Sequence, residues 1–153
     1  IRRDIMRDMV RRAIFFLVIG LILNGAAVAW AQRLSVTVDV ANIRSGPNTN
    51  ETVIWQVEKY YPLNVIQTQG EWCLFEDFEG DRGWVAVSLL DDTRSVVVKK
   101  ENCNVRSGPG TNTEIRFTVD KGVPFKVLEE KGAWLHVVHA DGDKGWIHRS
   151  LVW

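Results

Sequence analysis

The chain has 153 residues, 46% of them hydrophobic and 25% charged, which excludes a disordered or collagen-like polypeptide and allows one ordinary domain or two small ones. Its zero net charge averages unlike parts: residues 1–31 carry five Arg against two Asp, whereas residues 32–153 carry 14 Lys and Arg against 17 Asp and Glu. An acidic remainder gives no electrostatic footprint for nucleic acid, and two cysteines without close Cys or His neighbours supply neither a disulfide framework nor a structural zinc site.

Residues 1–31 read as a secretory signal peptide. The start, IRRDIMRDMVRR, is basic, residues 13–23 are an apolar run, and small residues lead to Ala29-Trp30-Ala31. The positive start stays on the cytoplasmic side, the apolar helix partitions into the bilayer, and Ala29 and Ala31 fit a signal peptidase cleft. Cleavage is expected before Gln32. The alternative is an uncleaved anchor, because residues 13–31 number 19 and approach the ~20 needed to span a bilayer, although Asn24 and Gly25 interrupt them. On either reading the protein is exported to the periplasm or the cell exterior, and it meets membrane only through this segment.

From Gln32 onward the sequence is written twice at an offset of 62. Asn42-Ile43-Arg44-Ser45-Gly46-Pro47 returns as Asn104-Val105-Arg106-Ser107-Gly108-Pro109, Gly70-Glu71-Trp72 as Gly132-Ala133-Trp134, and Gly80-Asp81-Arg82-Gly83-Trp84 as Gly142-Asp143-Lys144-Gly145-Trp146. Register kept through the loops means one fold duplicated. The expected units are 32–90 and 96–153, joined by a five-residue linker, 91–95.

Each unit reads as all-β, with short runs rich in Val, Ile, Trp and Phe between turn residues. In the second unit strands are predicted near 96–100, 103–106, 115–119, 124–130, 133–139 and 144–148. Units under about 60 residues bury only about 60% of their unfolded surface, so a small barrel that closes its sheet and uses its aromatics well is expected. The turns Glu79-Gly80-Asp81 and Asp141-Gly142-Asp143 suit three-residue hairpins with a left-handed Gly. Alternation then assigns Cys73, Phe75, Val85, Val87, Leu135, Val137 and Ile147 to the core. The opposite parity presents Trp72, Leu74, Glu76, Trp84, Trp134, His136, Val138 and Trp146.

The repeated Asn-[Ile/Val]-Arg-Ser-Gly-Pro element, the later Gly-x-Trp and the terminal Gly-Asp-x-Gly-Trp-x-x-x-Ser-Leu resemble bacterial SH3-like (SH3b) domains, and two copies cover essentially all of the chain after the signal. The resemblance implies two half-open barrels in an exported bacterial protein, a non-catalytic module of a family that commonly binds cell-wall peptides or other envelope partners. Tyr60 departs from the pattern: it stands where Gly122 supplies the usual turn glycine, so a remodelled loop is expected in the first copy.

The candidate ligand-binding residues are Trp72, Trp84, Trp134 and Trp146, because tryptophan offers large contact area at little entropic cost, with Tyr60, Tyr61, Arg44 and Arg106 beside them. Each has a structural alternative. The indoles can instead cover an open barrel end or pack one unit on the other. Tyr60 and Tyr61 point opposite ways if extended, which leaves at least one accessible. Arg44 and Arg106 either grip a peptide carboxylate bidentately or tie down their own loops. His136 and His148 face each other if the hairpin turn is symmetric, which makes zinc a distant alternative, but a third ligand is missing and the first unit has Leu74 and Ala86 instead. Cys73 and Cys103 are expected as separate buried thiols rather than a bridge.

No nucleophile with a base and an orienting group, and no paired carboxylates, can be assembled from the sequence, so no enzyme, no metal and no cofactor are expected. Two binding roles follow. In one the tandem barrels recognise peptidoglycan peptide, the short linker raising the effective concentration of the second contact. In the other they dock an envelope protein as an accessory scaffold. The charge is uneven: residues 34–90 hold three basic and eight acidic side chains, residues 96–153 nine and seven. This permits complementary packing of the two units.

Overall fold

Residues that alternate between core and surface extend into strands, and the repeated Gly and Pro positions break the strands apart. The computed structural model describes residues 32–153; the expected signal segment lies outside the described residues. In the first unit the strands are β1 (Gln32–Val36), β2 (Val40–Arg44), β3 (Val53–Glu58), β4 (Pro62–Gln69), β5 (Trp72–Glu76), β6 (Arg82–Ala86) and β7 (Leu90–Asp91). They form one seven-stranded sheet in the order β3-β2-β6-β5-β4-β1-β7. In the second unit β8 (Ser95–Val97), β9 (Cys103–Arg106), β10 (Ile115–Val119), β11 (Pro124–Lys131), β12 (Trp134–Val138) and β13 (Lys144–His148) form a six-stranded sheet, β10-β9-β13-β12-β11-β8. The described residues are all-β, with two SH3-like sheets in tandem. The strands read from the sequence in the second unit reappear within one residue at their ends, except that the first runs Ser95–Val97 rather than 96–100.

Short strands must curl to enclose a core, and bulges do this at the same place in both copies. The pairing of β4 with β5 shifts at Ile66, and that of β11 with β12 shifts at Leu128. Each extra residue turns an apolar side chain outward, so Ile66 and Leu128 are exposed although Val65 and Val127 before them are not.

The core parity is as expected at Cys73, Phe75, Val85, Leu135, Val137 and Ile147, all at most 2% exposed. Burying one such Phe, Leu or Ile contributes about 1.5–3 kcal/mol, so a handful stabilises each unit. Val87 departs from the expectation and is exposed, because a 3-10 turn at Val87–Leu89 ends the alternation before it. Its twin at Arg149–Leu151 occurs 62 residues later, and the strand reading passed over both turns.

The repeated Gly-Trp has a steric cause. A Cβ on Gly83 would sit 2.2 Å from Ile43 Cγ2, and one on Gly145 would sit 2.7 Å from the Arg106 carbonyl oxygen and from Val105 Cγ1. Only glycine lets the hairpin approach β2 and β9 this closely.

The two cores are distinct clusters, but the first takes in Val97 of β8 and packs Trp153, so the units touch. Ser35 Oγ donates to the Thr93 carbonyl at 2.7 Å and bonds the Ser95 hydroxyl, which makes Ser95 the donor of that second bond. Lys121 pairs with Glu79 across the junction, and Phe78 meets Trp153 at 6.5 Å between ring centroids. The Arg94 carbonyl accepts from Val127 N–H at 2.9 Å, so the connecting segment is fastened to the second sheet.

Candidate functional site

The Arg-Ser-Gly-Pro loops are built from the arginines inward. Arg44 Nη1 donates to the Thr49 carbonyl at 3.1 Å and the Glu51 carbonyl at 2.8 Å; Arg106 Nη1 donates to the Thr111 carbonyl at 3.0 Å and the Thr113 carbonyl at 2.8 Å. Each guanidinium thus satisfies loop carbonyls that a short turn leaves without strand partners. The loop-tying alternative describes both residues.

Beside each loop runs a groove edged by a tryptophan. In the first unit Thr49, Glu71, Trp72, Ala86 and Val87 line a groove of about 710 Å³. In the second, Asn104, Arg106, Thr111, Trp134 and His148 line one of about 270 Å³. Trp72 and Trp134 are half-buried. The grooves share Thr49/Thr111, Trp72/Trp134 and Ala86/His148 at the 62-residue offset and differ in the rest of their lining; Ala86 lies across from Trp72, whereas His148 lies across from Trp134 and meets it edge-on at 5.2 Å. Val87 enters the first groove because its 3-10 turn faces it outward.

The remaining aromatics divide. Trp84 is half-buried opposite Leu74, but Trp146, expected at the surface, is buried. Its cross-strand partner His136 stacks on it at 4.9 Å and 9°, and Lys131 Nζ lies 5.5 Å from its ring. His136 therefore faces Trp146, not His148, because the loop comprises Ala140, Asp141 and Gly142, closed by His139 N–H on the Asp143 carbonyl at 2.8 Å. The turn expected at 141–143 sits one residue earlier, and this shift removes the histidine pair required for zinc. Among the described residues no cluster of three or more His, Cys, Asp or Glu side chains is placed to hold a metal.

Tyr61 is also buried, with its hydroxyl donating to Asp77 Oδ2 at 2.9 Å. Burial, and then the Asp77 charge beside it, raises its pKa above the ordinary value. Tyr60 is the more accessible of the pair. Its loop is not remodelled: it adopts φ 70°, close to the 94° of Gly122, and both amides donate at 2.8 Å to equivalent carbonyls, Val36 and Val98. Cys73 and Cys103 are free and buried, and burial pushes the Cys73 thiol up to about 11.

Sequence reasoning missed a second pair of clefts, at the hairpin end of each sheet. Trp55, Glu58, Tyr61 and Asp77 line one of about 400 Å³, and Phe117, Val123, His139 and Asp141 line its counterpart of about 350 Å³. Glu58 also borders the second cleft, where it stands 3.6 Å from His139 Nε2. Asp141 holds His139 Nδ1 at 3.0 Å, and its own pKa is lowered first by the Asp143 N–H and then by His139. The aromatic identity of both Trp55 and Phe117 at the 62-residue offset was the available signal.

Two curled antiparallel sheets, each closed by a Gly-Trp hairpin and an arginine-tied loop, define a tandem SH3-like module. The chain belongs to the bacterial SH3 domain family, whose model matches residues 37–92 and again residues 99–153. It is similar to the putative N-acetylmuramoyl-L-alanine amidase YrvJ of Bacillus subtilis, at 24% identity over 128 residues, covering 76% of this chain and 24% of that protein. It is also similar to the probable cell wall amidase LytH of Staphylococcus epidermidis, at 34% identity over 62 residues, covering 40% of this chain and 21% of that protein. The chain spans about a quarter of the length of these relatives or less. Among solved structures, an NlpC/P60 family protein from Bacillus cereus aligns with TM-score 0.36 and 15% identity, over 79% of this chain and 55% of that one. NlpC2 from Trichomonas vaginalis aligns with TM-score 0.36 and 12% identity, over 80% and 48%.

Proposed function

We propose that this chain is an exported, non-catalytic binding module whose two SH3 units recognise a cell-envelope ligand, the peptide of peptidoglycan. The observation that carries the reading is the recurrence, in both units, of an open groove between a half-buried tryptophan and the arginine-tied loop. Two relatives named as amidases, one of them a cell wall amidase, share this SH3 sequence, which supports an envelope ligand. Trp72 and Trp134 supply the contact faces, with Trp84 and, at the other end of β4, Tyr60 as further partly exposed aromatics of the first unit. Arg44, Arg106, Tyr61 and Trp146 act from behind, holding loop and sheet in place. Because the units are docked by Ser35–Ser95 and Lys121–Glu79, the two grooves are held at a set spacing, and one polymer engaging both gains avidity over either alone.

Co-sedimentation with purified sacculi tests this. Wild type is expected to pellet, Trp72→Ala and Trp134→Ala each to weaken binding about tenfold, and the double variant to remain in the supernatant. A wild-type protein that stays soluble at every sacculus concentration removes the reading. Docking to another envelope protein is the second reading, favoured by the edge strand β3 of the first sheet, where Val53 and Ile54 are 41% and 47% exposed. A peptidoglycan-free pull-down that depends on Ile54→Lys would favour it.

A further inference from the structure

We propose that the cleft at the junction of the two units, walled by Arg33, Arg94, Arg149 and the Trp153 indole, is a carboxylate-binding site for the free C-terminus of a peptide ligand. It rests on the envelope-peptide reading for the identity of that peptide, not for the site itself.

The cleft, of about 390 Å³, is assembled from both halves: Arg33 on β1, Asp92, Thr93 and Arg94 on the connecting segment, and Arg149 and Trp153 from the end of the second unit. It exists only when the units are docked. Arg94 and Arg149 already show what the cluster takes, because they grip the two oxygens of one carboxylate, Glu130, Arg94 Nη2 at 2.5 Å from Oε2 and Arg149 on Oε1. Arg33 is different. Its Cζ lies 3.8 Å from the Trp153 ring centroid, and among the described residues no carboxylate pairs with it. Stacking holds the guanidinium and leaves its N–H edge for a planar acceptor. Desolvation lowers its pKa, a cost that a bound anion offsets. Among the side chains, three guanidiniums face Glu130 and Asp92, and the planar fork that Arg33 leaves open matches a carboxylate.

The test titrates the full chain with acetyl-alanyl-alanine, its C-terminal amide and inorganic phosphate, following the Trp153 indole N–H resonance, assigned with Trp153→Phe. The free acid is expected to shift that resonance saturably and the amide to leave it in place. Arg33→Gln should weaken binding about tenfold or more, and Arg33→Lys should restore only part, because a point charge lacks the fork. An unchanged melting temperature in Arg33→Gln separates lost binding from a loosened junction. Equal binding of acid and amide, tighter binding of phosphate, or an unaffected Arg33→Gln overturns the site. If sacculi pellet the chain while the dipeptide leaves Trp153 unmoved, this inference fails and the envelope reading stands; if the dipeptide binds and sacculi do not, the reverse holds.

Discussion

The two units share a backbone almost residue for residue and differ in what they show the solvent. β4 and β11, β5 and β12, and β6 and β13 have identical limits at the 62-residue offset, as do the 3-10 turns. The arginine ties and the bulges repeat as well. Around this frame the outer residues have been exchanged. Leu74 leaves Trp84 half-open where His136 covers Trp146, Ala86 stands across from Trp72 where His148 meets Trp134 edge-on, and a Tyr61–Asp77 hydrogen bond stands where the second unit has Val123 and His139. The lesson is that the repeated glycines and loop arginines mark what the barrel needs in order to close, whereas the positions that do not repeat set how far each tryptophan is covered.

If the repeated residues are structural, breaking them should cost most. Gly145→Ala is expected to destabilise the second unit by about 2–4 kcal/mol, because the new methyl meets a backbone carbonyl that cannot move without disrupting β9. Gly83→Ala should cost a similar amount, since the new methyl would sit 2.2 Å from Cγ2 of the fully buried, β-branched Ile43. Urea unfolding of both variants measures this. A Gly145→Ala protein as stable as wild type would show that the Gly-Trp repeat has another origin.

The distinction also explains how much was legible in the sequence. The duplication, the all-β class, the strands of the second unit and the core parity follow from spacing and alternation, which report backbone and burial directly. The functional surface was less legible because it depends on cross-strand register. One residue of difference in the turn at Ala140–Gly142 moved His136 from His148 to Trp146, and with it buried a tryptophan expected at the surface. Val87 failed for a related reason: alternation cannot announce that a strand has given way to a 3-10 turn. The junction cleft needs Arg33, Arg149 and Trp153 brought together from opposite ends of the pair, which no local pattern encodes.

The two thiols sharpen the comparison at intermediate size. Cys73 is held in its neutral form to about 11 by burial, above the ordinary value near 9. Cys103 is also raised by burial, but Lys100 opposes the shift, and its Sγ lies 3.2 Å from the Lys100 carbonyl. A native pKa above the unfolded one means that stability is intact below pH ~9 and falls as pH climbs toward ~11, by about 2–3 kcal/mol for a shift of this size. Cys73→Ala should flatten that alkaline slope. Alkylation at pH 9 with iodoacetamide, followed by mass spectrometry, should modify Cys103 before Cys73; the opposite order contradicts the deeper seat of the first-unit thiol.

The smallest expected effect is at the turn where the copies differ most oddly. Tyr60 holds φ 70° in a turn that Gly122 completes without strain at 94°. A left-handed L-residue costs about 1–2 kcal/mol, and the side chain recovers part of it by lying 5.5 Å from Lys59 Nζ. Gly122→Ala meets nothing within 4 Å, so its expected loss of about 1 kcal/mol reads the backbone cost alone. Tyr60→Gly should then leave stability within about 1 kcal/mol of wild type, on the favourable side, because strain relief outweighs the added freedom of the unfolded chain. Strain retained without a stability return is characteristic of residues kept for function. Tyr60→Gly is therefore expected to weaken sacculus binding while preserving the fold. If it instead lowers the unfolding free energy by more than 1 kcal/mol, the tyrosine is kept for its packing, and the first unit loses its claim to the broader ligand surface.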